Sequence, residues 1–244
     1  MADTRRNLSA VGARADGITY DEGLRSFMLS VYNYMATGVG LTGLAAYGLY
    51  AWAASNPDVF KAVFHGPLAI VLLLAPLGYG MYLIFRMHTM SPAGARNGFY
   101  IYAVLIGLML SSLFVAYTQQ SLARVFFVTA ATFGATSLWG YTTKRDLTSM
   151  GSFLMMGLIG VIIASVVNMF LQSTGLQFAL SVMGVAIFTG LTAYDTQKLK
   201  GVYETYAHDG TALAHSAVQG ALSLYLDFIN LFLYMLRFMG DRRN

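Results

Sequence analysis

Seven stretches of about 20 mostly apolar residues, separated by short polar breaks, restrict this chain to one environment. They run approximately over Phe27–Ala53, Pro67–Phe85, Gly98–Tyr117, Val125–Tyr141, Gly151–Leu171, Leu176–Tyr194 and Val218–Met239. Backbone amides in lipid find partners only within a helix or a closed barrel. Runs this long and this apolar are helices, so the expected fold is an all-α integral membrane protein with seven transmembrane helices. Only 11% of the residues are charged, against about 25% in soluble domains. The first 25 residues carry eight charges and no apolar core, which excludes a signal peptide. Residues 1–25 therefore read as a polar cytoplasmic tail and 26–240 as a single transmembrane domain. There is no cysteine, hence no disulfide and no thiolate chemistry.

The breaks carry turn signals, Asn56-Pro57 and Ser91-Pro92 among them. Ser173-Thr174-Gly175 is short enough to make spans five and six a tight hairpin. Ten of the fifteen Lys and Arg residues fall on the side of the N-terminal tail, and five, including Arg237, Arg242 and Arg243, on the other. By the positive-inside bias the N-terminus is cytoplasmic and the C-terminus outside. The small net charge of +4 reads as topology-setting charge, with no nucleic-acid partner. Glycines recur within the spans (Gly38, Gly40, Gly43; Gly157, Gly160; Gly184, Gly190) and suit close helix packing.

Two acids break the apolar pattern. Asp195 lies in GLTAYDTQKLK and Asp227 in LSLYLDFINLF. A carboxylate at the bilayer centre costs about 2.5–3.5 kcal/mol even on the lenient insertion scale. Span seven also places Gln219, Ser223, Asp227, Asn230, Tyr234 and Arg237 on one narrow helical face. A polar stripe along a whole span faces the bundle interior or a wet path, not lipid. Burial and like charge both oppose ionising two neighbouring acids together, so such a pair sheds protons in steps that belong to the pair. One shared proton locks the two helices. Doubly ionised, the acids repel unless a base or a cation intervenes, and Ca²⁺ takes carboxylate oxygens. Arg86, at the end of span two, is the candidate basic latch. Asn33 and Asn168 are further candidate partners. His65, His88, His208 and His215 fall in or beside loops without metal-ligand spacing.

GLTAYDTQKLK at 190–200, LYLDFINLFLYMLR at 224–237 and FMLSVYNYMATGVGLTGLAAY at 27–47 together resemble the Bax inhibitor-1 family, the last of them its bacterial members. The resemblance implies seven helices with the C-terminal one central and surrounded by the other six. It implies a non-enzymatic, pH-sensitive Ca²⁺ leak of the bacterial inner membrane, without cofactor, governed by a di-aspartyl sensor at Asp195 and Asp227. Ser223, Asn230, Tyr234 and Arg237 would face the pore, and the two acids would hold Ca²⁺ in transit. Arg86 matches the family's basic latch by position. Some bacterial relatives are linked to a membrane-anchored ATP-dependent protease, so a non-channel scaffold or protease modulator is the main alternative. An intramembrane aspartyl protease is a remote one. Tyr194-Asp195 fits that chemistry, but Asp227 sits between Leu226 and Phe228 without the glycines it requires.

Overall fold

A computed structural model describes the backbone of residues 2–243 and the side chains of residues 22–243. Most of the expected polar tail therefore lies outside the described side chains. The described chain is helical: α1 (Ala2–Ala54), α2 (Pro57–Phe64), α3 (Pro67–Arg86, then a 3₁₀ turn to Thr89), α4 (Pro92–Leu110), α5 (Leu113–Ala116), α6 (Gln119–Thr142), α7 (Thr148–Leu171), α8 (Thr174–Tyr206) and α9 (Gly210–Met239). Among the described residues, six helical stretches are long and apolar enough to cross a membrane: 67–89, 92–116, 119–142, 148–171, 174–206 and 210–239.

The polar breaks act as helix punctuation. Pro57, Pro67 and Pro92 occupy first helical positions, where a missing N–H removes nothing. Ser91, Thr118, Ser173 and Asp209 cap the helices that follow, each side-chain oxygen accepting a backbone N–H. Gln172, at φ 50°, ends α7 in the left-handed conformation, and Asn168 Oδ1 accepts the Ser173 N–H at 3.1 Å to close the tight turn.

Two helices outrun their apolar segments. α8 continues past Tyr194 through Lys198, Lys200 and Glu204 to Tyr206, and α9 begins at Gly210, not Val218. Lys and Glu are good helix formers, so leaving the apolar region does not end the helix. Only residues 207–209 separate the two helices.

α9 packs mainly against α8, α1, α6 and α4, while α3 packs on α4 and α7 on α8. Thirteen residues of α9 are buried. A Cβ on Gly140 would run into the backbone of Ala193, and one on Gly107 into that of Thr42. These close approaches bring α6 onto α8 and α4 onto α1. Buried hydroxyls join the helices further. Thr42 Oγ1 is hydrogen-bonded to Tyr225 OH at 2.7 Å and donates to the Ala103 carbonyl at 2.9 Å. Tyr32 OH meets Ser137 Oγ, which meets Thr196 Oγ1 at 2.9 Å.

The two ends of the bundle are defined by contacts. At one end, His215 Nε2 bonds the Met87 carbonyl oxygen at 2.7 Å, and Gln197 reaches the loop between α6 and α7. At the other, residues 241–243 pair with 116–118, and Arg124 bridges Asp241 at 2.8 Å.

Candidate functional site

The signature segment of α8 combines bracing residues with one acid that meets a second acid. Thr192 Oγ1 donates to the Phe188 carbonyl. The Tyr194 ring packs against Gly151 of α7. Thr196 bonds Ser137 of α6. Gln197 clamps the loop between α6 and α7, accepting from Leu147 N at 2.8 Å and donating to the Arg145 carbonyl at 2.7 Å. Lys200 Nζ caps the end of α6 at the Tyr141 carbonyl, 2.9 Å away. Leu199 packs against Gly220 of α9, and Asp195 turns to the same helix, where its carboxyl meets that of Asp227 side chain to side chain. Asp195 lies about three turns before the end of α8, and Asp227 about five turns into α9.

Asp227 is 5% exposed, and its Oδ2 has no hydrogen-bond partner. It is the one buried side-chain N or O atom, among the described residues, left in that position. A buried polar atom without a partner is costly. A proton shared with Asp195, or a cation, would relieve that cost.

Asp195 is half-buried and forms the inner wall of a cavity of about 290 Å³, also lined by Lys198, Gln219 and Ser223. The cavity lies toward the α8–α9 turn. Lys198, one turn along α8, is the positive charge that acts on Asp195. Arg86 is exposed at the end of α3, and the structure does not bring it to either acid. Adjacency within one helix supplied the base, a possibility that counting charges span by span overlooks. Asn33 is exposed on α1 and Asn168 caps the α7 turn, so neither joins the pair.

The rest of the stripe divides around Asp227. Gln219 Nε2 contacts His88 Nδ1 at 3.2 Å, and Ser223 lines the cavity. His88 and His215 thus hold the end of α3 to the start of α9, a role the sequence did not reveal for residues beside loops. On the other side of Asp227, Asn230 spends its amide on the Leu226 carbonyl at 2.8 Å. Tyr234 stacks on Phe188 of α8, with ring centroids 5.7 Å apart, and covers Gly184. Arg237 is exposed, its guanidinium 5.6 Å from the Tyr234 ring centroid. Along α8 and α9 the acids therefore lie between a polar cavity and, about two turns further on, an aromatic contact. Among the described residues no cluster of three or more His, Cys, Asp or Glu side chains could hold a resident metal.

A bundle of apolar helices with an acid pair between its last two members is a multi-span membrane protein with a titratable centre. The comparisons give this class a family. Residues 24–244 match the family described as "Inhibitor of apoptosis-promoting Bax1", and the chain belongs to this Bax inhibitor-1 family. It is 48% identical to an uncharacterised protein of Rickettsia prowazekii, with 93% of this chain and 94% of the relative aligned. A Caulobacter vibrioides protein is 46% identical, with 94% of each chain covered. The inner membrane protein YbhL of Escherichia coli is 43% identical over 94% of this chain and 98% of its own.

Proposed function

We propose that this protein is a pH-sensitive calcium-leak channel of the bacterial inner membrane, gated by the Asp195–Asp227 pair. One observation carries the reading: Asp227 Oδ2 is buried without a partner, opposite a second carboxyl. In this reading the apolar part of α1, Phe27–Ala53, is the first of seven spans, and α9 is the innermost. The N-terminus and the α8–α9 turn face the cytoplasm, as the distribution of Lys and Arg favours. The 290 Å³ cavity is then a cytoplasmic vestibule with the acid pair as the gate at its inner end, and the Phe188–Tyr234 stack narrows the path beyond that gate.

With one proton between the acids, a short hydrogen bond holds α8 to α9. Removing it leaves two carboxylates in contact. Their repulsion favours separation of the helices or entry of a cation, with Lys198 offsetting part of the charge. Ca²⁺ is cargo here. Two carboxylates provide only part of the six to eight oxygens it takes, which suits passage better than storage.

The test is Ca²⁺ uptake by liposomes containing the purified protein, measured from about pH 6 to 8, where a desolvated carboxyl pair can titrate. A pH-dependent leak is the expected result. Liposomes that pass no Ca²⁺ anywhere in that window rule the channel out. A scaffold role, such as modulating a membrane-anchored ATP-dependent protease, would then replace it.

A further inference from the structure

α1 and α6 meet at the end where Tyr32 bonds Ser137, and part toward the other end. There an apolar groove of about 280 Å³ opens between them. Gly43 of α1, Phe114 of α5 and Ala123 and Phe126 of α6 form its walls, and Phe228 and Phe232 of α9 its floor. Thr42 and Gln119 are its polar lining residues. Water does not settle in a space this apolar, whereas a lipid chain beside it fills it without desolvating anything.

The rim at the same end is cationic. Residues 241–243 are pinned to 116–118, which sets Arg243 beside the groove, where its Nη1 donates to the Phe114 carbonyl at 3.2 Å and to Tyr50 OH at 3.0 Å. Nε and Nη2 make no bond among the described residues. Arg124 follows Ala123 on the groove wall and is matched by Asp241. Arg243 has no acid partner among the described residues. A guanidinium held by two bonds, with donors to spare among the described residues, is shaped for a phosphate.

We propose that the groove is a binding site for one anionic glycerophospholipid, an acyl chain lying between α1 and α6 and the headgroup phosphate on Arg243. The chain rests on Phe228, the residue after Asp227. The site does not depend on whether the protein conducts ions.

Native mass spectrometry of the full-length protein, with added phosphatidylglycerol or phosphatidylcholine, tests it. Wild type should retain phosphatidylglycerol about tenfold better, the scale of one charge-assisted phosphate contact. Arg243→Gln should abolish that preference. Gly43→Leu should displace both lipids, and it can fold because a Cβ at Gly43 meets nothing within 4 Å. Gly160→Leu, on the outer face of α7 with equally open surroundings, should retain lipid as wild type does. Equal retention of the two lipids by wild type overturns the site. So does a Gly43→Leu protein that holds lipid as well as Gly160→Leu.

Discussion

α7 and α9 are both apolar helices of spanning length, yet they occupy opposite kinds of place. α7 has two buried residues, Gly151 and Val161, and presents Phe153, Ile163 and Phe170 outward. α9 has thirteen, among them Asp227. α7 is the more apolar of the two, yet an apolar side chain suits lipid and core alike, so apolarity by itself does not enclose a helix. Polar residues do: α9 carries a stripe of them, and α7 has only small hydroxyls and Asn168 at its end. In a membrane the polar residues, not the apolar ones, show which helix is enclosed.

Large-to-small changes break this comparison most directly. Leu224→Ala removes a fully buried side chain of α9 and should cost about 2–5 kcal/mol. Phe170→Ala, at a site 84% exposed, should stay within about 0.5 kcal/mol. Thermal unfolding in one detergent compares them, and equal losses would mean that α7 is as enclosed as α9. Adding one carbon comes next. Gly140→Ala forces a Cβ against the Ala193 backbone and should cost about 1–3 kcal/mol, whereas Gly160→Ala meets nothing and should be neutral or slightly stabilising. A neutral Gly140→Ala would show that α6 and α8 pack less closely than described.

The smallest effect lies outside the spans. Asp146 Oδ1 accepts from Thr148 N at 2.9 Å and Thr148 Oγ1 at 2.6 Å, which holds its carboxyl below the usual carboxylate range. A lowered folded-state value adds stability above the unfolded value, and that stability is lost as pH falls through the folded one. Full exposure keeps the contribution small. Carboxyl NMR should find a midpoint below that of an unstructured Asp. Thr148→Ala should raise it, and a midpoint unaffected by that change would remove the two bonds as its cause.

Much of the architecture was legible because lipid enforces it. The apolar runs located the six helices of spanning length found among the described residues, and Pro marked helix starts at Pro57, Pro67 and Pro92. Helix ends were less legible, since Lys198, Lys200 and Glu204 continue α8 beyond the apolar run. The two acids stood out because charge is rare in such segments. The base that acts on Asp195 did not, because Lys198 reads as a loop residue until α8 is seen to pass through it. The bracing by Gln197, Lys200 and His215 was invisible, since each bonds a backbone carbonyl distant in sequence. No side-chain pattern encodes such a contact.

The acid pair is the centre of the account, and the pH profile of Ca²⁺ flux in Asp195→Asn and Asp227→Asn liposomes tests it most directly. Asparagine keeps the size and a hydrogen bond but cannot titrate. Each variant should flatten the profile shown by wild type, whatever happens to its basal flux. A variant that still passes Ca²⁺ with the wild-type pH dependence would show that protons act elsewhere, and the Asp195–Asp227 pair would not be the gate.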